Sequence, residues 1–203
     1  KILKSFGDES VGCVGGRPVS NNKKDYMVGY WSHLLLDIGA HEHIRKKPKK
    51  GYVWLSANLL AIRKGIIKEI PLDIAEDAVI PYLIWKKGYK VVYNEEAIIF
   101  VNFPKTLKEW YLQKTRSLKA HSHTKIYIPE NIRSRGFFTE IKGAYKVITY
   151  PKNYREFIWT IFLFLVRIHL WIIYFYDTKI KKEEYRGVWK RAKTTSPLEH
   201  GNN

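Results

Sequence analysis

Two pairs of residues carry groups that can move a proton and hold a phosphate. Glu76-Asp77 stands at the head of an apolar helical pattern running from Ile74 to Lys87, with Ile80, Leu83 and Ile84 on one face. Gln113 and Arg116 lie three apart on a second expected helix. A carboxylate can take the proton of a hydroxyl as that hydroxyl attacks. A guanidinium fork matches the oxygens of a departing phosphate. The helix dipole alone favours carboxylates in a first turn, by a few tenths to about 1 kcal/mol. Capping is therefore the plain reading of Glu76-Asp77 taken alone. A third polar stretch, Ser56-Ala57-Asn58, falls between two expected apolar strands within Gly51 to Arg63. Small polar residues so placed line a pocket or form a bulge.

The elements that must position these groups alternate between strand and helix, as in an α/β domain. Val11 to Val19 reads as a buried strand whose glycines mark tight turns or close backbone approach. Gly15-Gly16-Arg17 is not a phosphate loop by motif, because no complete Gly-x-Gly-x-x-Gly and no following Lys-Ser/Thr accompany it. Asp25 to Ile44 has helical periodicity. The acidic helix ends at Gly88, and strands are expected over Tyr89–Tyr93 and Ala97–Asn102. Leu107 to His121 combines an apolar stripe (Leu107, Trp110, Tyr111, Leu118) with Lys108, Lys114, Arg116 and Lys119. That mixture suits an interfacial membrane helix or a phosphate-binding one. The pairs His41-Glu42-His43 and His121-Ser122-His123 read as surface, the first beside the basic run Arg45 to Lys50. A linker with a short helix near Phe137 to Ile148 follows.

Composition narrows the partners. The chain has 203 residues, the size of one domain with appendages, and 45% of them are hydrophobic and 15% aromatic. Lysine and arginine total 36 against 19 acidic residues, a net charge of +17 that implies an anionic partner. Cys13 is the single cysteine, which excludes an internal disulfide, and nothing in the sequence points to a cysteine-based metal site. No signal peptide opens the chain, and its first residue is Lys1 rather than Met, as expected of a fragment or processed piece.

Phe157 to Tyr176 is the most hydrophobic stretch, about 20 residues, the length that crosses ~30 Å of hydrocarbon. Trp159, Trp171, Tyr174 and Tyr176 lie toward its ends, where aromatic belts sit. Arg167 near its middle costs roughly 2.5 to 3.5 kcal/mol in a bilayer. A soluble helix this apolar would need partners on all sides, so a membrane segment is expected, spanning or re-entrant. Basic residues flank both ends and give no orientation. The tail beyond it, with Tyr185 to Arg191, reads as a short basic amphipathic helix before a polar end.

Taken in order, these motifs resemble the second half of the membrane-associated inverting glycosyltransferases that include cellulose, chitin and hyaluronan synthases (family 2, GT-A type). The likeness runs from Val11 to Arg116. It rests on Val-Gly-Cys-Val-Gly-Gly-Arg at Val11 to Arg17 and on Ser56-Ala57-Asn58 with Arg63, similar to Ser-Gly-Asn-x-x-x-x-Arg with alanine for glycine. Glu76-Asp77 and Gln113-x-x-Arg116 complete it, the latter matching the start of Gln-x-x-Arg-Trp. The resemblance implies a Rossmann-like GT-A half over residues 1–125, including an interfacial helix at 107–121. A linker at 126–153, a membrane helix at 154–178 and a basic tail at 179–203 would follow. It implies Asp77 as general base with Glu76 beside it, Arg116 and Gln113 at the donor diphosphate, and Ser56, Ala57 and Asn58 near the sugar or acceptor. The implied partners are a nucleotide-sugar donor, a saccharide or lipid-linked acceptor and the cytoplasmic face of the cell membrane.

Two departures qualify the implication. Ser117 stands where the polymer synthases have tryptophan, which argues against processive synthesis. No Asp-x-Asp occurs in the chain, although the family holds its Mg2+ or Mn2+ with that motif. The expectation is a C-terminal part of a longer enzyme, or a remnant, inactive by itself. The rival expectations are a non-catalytic membrane-anchored scaffold and a basic nucleic-acid-binding module. Against the second, no nucleic-acid motif is present and the apolar stretch has no role there.

Overall fold

A glycine-rich strand organises the sheet. The computed structural model describes residues 1–45, 52–70, 75–129 and 145–181. The basic run at 46–50, Ile74, most of the short helix expected over 137–148 and the tail from 182 lie outside them; 145–148 is helical. Strand β1 (Val11–Ser20) is central. It pairs antiparallel with β2 (Leu60–Ile62) and parallel with β3 (Lys90–Val101), in the order β2-β1-β3. Helix α1 (Met27–Arg45) follows β1, and α2 (Glu76–Lys86) connects β2 to β3. Helix α3 (Leu107–His123) and helix α4 (Tyr154–Phe175) complete the described chain, α4 running on into a π-helical turn at Tyr176–Ile180. The molecule is mixed α/β, with a small mixed sheet and one long apolar helix.

The glycines of β1 serve packing. A Cβ on Gly16 would collide with the Ala97 carbonyl and the Leu59 side chain, and one on Gly15 would collide with Leu55. Apolar neighbours fill the space that a phosphate loop would leave open. Gly88 has a different reason. Its φ of 92° lies in the left-handed region, and its amide closes α2 on the Trp85 carbonyl at 2.9 Å.

Two expected elements differ from what is observed. Tyr89–Tyr93 and Ala97–Asn102 are one strand, not two. The register steps from Gly16 opposite Asn94 to Arg17 opposite Ile98, so 95–97 bulge out of the ladder. The Glu96 amide bonds the Asn94 side chain at 3.0 Å, which turns the chain through the bulge without ending it. Upstream, the apolar segment before Ser56 is extended but not a strand; only Tyr52 makes an isolated bridge. β1 already has β3 on its other edge and β2 spans three residues, so Tyr52, Val53 and Leu55 bury their side chains without joining the ladder.

The described residues build two cores. In one, Cys13 and Val91 of the sheet pack with Ala78, Val79 and Ile84 of α2, and Tyr52, Leu55, Ala120 and Ile128 close over them. Burial pushes the Cys13 thiol up to about 12, so it behaves as a small hydrophobe. In the other, Tyr30, Trp31 and Leu34 of α1 meet Trp110 of α3 and Leu163 and Leu170 of α4. Helix α3 belongs to both: Trp110 anchors its start in the second core and Ala120 its end in the first.

Candidate active site at the head of the second helix

The start of α2 is open to solvent on one side. Its N-cap, Ala75, has no side chain to offer; its carbonyl accepts from the Ala78 and Val79 amides, both at 3.0 Å. Four residues after Asp77 stands Pro81, which has no amide hydrogen to return to the Asp77 carbonyl. The first turn thus lacks both a side-chain cap and one of its ladder bonds. Two adjacent carboxylates complement the dipole there.

The two carboxylates do not share an environment. Glu76 is exposed and Ala75 behind it is buried. Asp77 turns inward, its side chain 22% exposed, with Oδ2 3.7 Å from Nε2 of His121. That separation allows a charge contact with a protonated imidazole but is long for a hydrogen bond. Tyr52 lies on the same side. Burial first, and then the nearby charges of Cys13 and Asp77, raise its pKa well above the usual phenol value, so it stays protonated. Its hydroxyl is buried and meets no hydrogen-bond partner among the described residues.

His121 comes from the last turn of α3, and the same helix carries Gln113 and Arg116. Gln113, Arg116 and Ala120 recur at spacings of three and four and share one face, while His121 stands a further turn-step around the helix. Ala120, on that face, is packed in the core with Ala75 and Ala78. Gln113 and Arg116 are half-buried, and the Gln113 side-chain oxygen is sealed from solvent with no hydrogen-bond partner among the described residues. A buried acceptor left unmet costs about 1–3 kcal/mol, so a ligand N–H or O–H would be favoured at that point.

The Ser56-Ala57-Asn58 segment lies in the loop that enters β2. The Asn58 side-chain amide donates to Ser56 Oγ at 2.7 Å, and the Gly16 amide ties the following Leu59 carbonyl at 2.9 Å. Ala57 and Asn58 are exposed. Arg63, the last residue of that motif, is structural: its guanidinium donates to the carbonyls of Val11, Phe6 and Asp8 at 3.0, 2.9 and 3.1 Å. It holds the opening 3-10 turn (Ile2–Gly7) against the sheet.

Sequence reasoning placed His121 on the surface, whereas its side chain is 10% exposed and faces Asp77. The available signal is its position directly after Ala120, which stands on the Gln113 and Arg116 face. Tyr52 was read as strand, and nothing in its local pattern marks it as a neighbour of Asp77.

A divalent ion bridging a diphosphate needs several oxygen donors. Among the described residues no group of three histidine, cysteine or acidic side chains is arranged to hold one. Asp77 faces an imidazole, Glu76 points to solvent, and the donor set does not fit such an ion. Comparison with protein-family models finds no match to this chain, and comparison with curated proteins finds none either.

Proposed function

We propose that this chain supplies the acceptor side and general base of an inverting sugar transfer. The donor is a nucleoside-diphosphate sugar, the acceptor a saccharide or lipid-linked hydroxyl at the cytoplasmic face of a membrane, and the architecture the second half of a GT-A domain. One observation carries this reading: the last turns of α3 pack on the head of α2, so that the helix bearing Gln113 and Arg116 also brings His121 to 3.7 Å from Asp77. Arg116 stands five residues before His121, about 7.5 Å along the axis.

In the proposed reaction an Asp77 carboxylate oxygen takes the acceptor hydroxyl proton as that oxygen bonds the anomeric carbon. The bond from that carbon to the diphosphate breaks on the opposite face, which inverts the centre. The electron pair goes to the phosphate oxygens, where Arg116 supplies a forked cation. His121 orients the Asp77 carboxylate, and Gln113 receives a donor N–H or O–H at its buried oxygen. Glu76, in solvent, adds to the local negative potential. The Mg2+ or Mn2+ implied by the resemblance has no ligand set here, and no step is assigned to it.

The test is Asp77→Asn in the complete protein, assayed in membranes against a panel of nucleotide sugars. The expected result is a loss of 10²–10⁴-fold in turnover with an unchanged far-UV circular dichroism spectrum. Turnover equal to the parent's would overturn the assignment and leave a non-catalytic scaffold.

A further inference from the structure

We infer that α4 does not cross a bilayer but lies flat on one, docking its outer face on the surface of an anionic membrane. The helix is long and apolar enough to span, with a mean hydropathy of 1.9 in its most apolar window. Its contacts with the rest of the chain say otherwise. It is fastened from end to end over 22 residues, about 33 Å. Near its start Arg155 donates to the Asp25 carbonyl at 3.0 Å, Trp31 Nε1 to the Trp159 carbonyl at 2.8 Å, and Tyr30 bonds Thr160 at 2.9 Å. Near its end Tyr111 meets His169 at 3.1 Å, and Lys119 pairs with Asp177 at 2.7 Å just past the last turn. The steps from Tyr111 to Lys119 and from His169 to Asp177 are equal, so α3 and α4 run parallel over this length.

That bracing fixes the orientation. If α4 stood across the hydrocarbon, α3 would be carried in beside it with Lys108, Lys114, Arg116 and Lys119, each strongly disfavoured there. Among the described residues the opposite face of α4 has no such ties. Ile161, Leu165, Ile168 and Ile172 recur every three or four residues and are 46 to 60% exposed. No charged side chain interrupts that row. Leu107 and Leu112 of α3 extend it across an apolar groove that they share with Leu165 and Val166, and Lys108 stands at its edge. Exposed Tyr154 and Tyr176 mark the two ends, and Lys152, Arg155 and Lys181 stand beside them in solvent. An apolar stripe bordered by aromatic and cationic side chains is the pattern of a helix lying in the headgroup region. The excess of +17 selects an anionic lipid surface over a neutral one. The inference does not rest on the transfer reaction, and either can fail alone.

The test uses the complete protein with single cysteines at Ile161, Leu165 and Ile172, each carrying an environment-sensitive fluorophore. Cys13 is buried and does not compete for label. Vesicles contain phosphatidylcholine with one-quarter phosphatidylglycerol and lipids brominated at defined acyl depths. Flat docking predicts the same shallow quenching depth at all three positions and at least tenfold weaker binding to pure phosphatidylcholine. A graded depth, deepest at 165 and shallow toward 161 and 172, would mean that α4 spans and would overturn the inference. Failure to bind vesicles, with a dimer at micromolar concentration, would overturn it in favour of a second copy on the same stripe. Circular dichroism of each variant confirms the fold, since all three side chains already face outward.

Discussion

The two cores are built from similar residues and end differently. The core of α2 and the sheet is closed: Val79, Ile84, Cys13 and Val91 are at most 1% exposed, and the ends of two neighbouring segments, Tyr52 and Ala120, seal it. The core of α1, α3 and α4 buries Trp31, Trp110 and Leu34 just as fully, yet α4 brings it only one face. Its other face is as apolar and has no protein over it among the described residues. The difference teaches where each kind of function sits. In the closed core, the informative residues are polar ones held against apolar walls, such as Asp77. In the open core they are apolar residues with no walls, such as Leu165. Helix α3 joins the two, so the exposed apolar groove beside α4 and the His121 contact with Asp77 belong to one helix.

The comparison breaks most sharply at the carboxylates. Asp77→Asn removes the proposed base, whose side chain turns inward, with an expected loss of 10²–10⁴-fold in turnover. Glu76→Gln alters an exposed carboxylate beside it, and the same assay should move by less than about tenfold, the difference between a group that takes the proton and one that adds field. Equal losses at both would dissolve the distinction. Stability offers the next contrast, within α4. Leu163→Ala opens a cavity against Trp31 and its neighbours and should cost roughly 2–5 kcal/mol by urea denaturation. Ile172→Ala, on the outer face, should change stability by less than about 0.5 kcal/mol in detergent-free buffer. A cost above 2 kcal/mol at Ile172 would mean that protein, not lipid, covers that face.

Much of this was legible where periodicity was strong. The apolar rows of α2 and α4 and the helical spacing of α1 predict elements that form close to their expected bounds, since a stripe can be buried in few ways. What escaped was set by contacts distant in sequence. The Glu95-Glu96 pair looks like a break between strands, but Asn94 bonds across it and β1 accepts the displaced register. Tyr52 to Leu55 has strand composition, yet β1 is already paired on both edges and only Tyr52 makes a bridge. His121 sits among basic and polar residues typical of a surface, and only the packing of Ala120 on α2 turns it inward. The Gln113 and Arg116 face followed from spacing, but its distance from Asp77 did not. Arg63 lies within the motif shared with Ser56 and Asn58, and it serves the opening turn of the chain instead.

That opening turn gives the smallest effect and a clean sign. Asp8 accepts from the Ser10 hydroxyl at 2.6 Å and the Ser10 amide at 2.9 Å, and Lys90 of β3 approaches at 3.1 Å. The Ser10 bonds first, and the lysine after them, lower its pKa from 3.8 to about 2. The folded state therefore binds the proton less readily than the unfolded state does. Stability from this group is fully present above the unfolded value of 3.8 and is lost as pH falls through about 2. Asp8 is fully exposed, so salt and solvent leave the contribution small. The urea midpoint of the parent should fall slightly faster between pH 4 and pH 2 than that of Asp8→Asn, which has no proton to gain. If the two curves ran parallel through that window, Asp8 would not fasten β3 to the opening turn. Arg63, with its three carbonyl partners, and the Asn94 side chain, which donates to Ser5 Oγ at 3.0 Å, would then hold that end of the sheet.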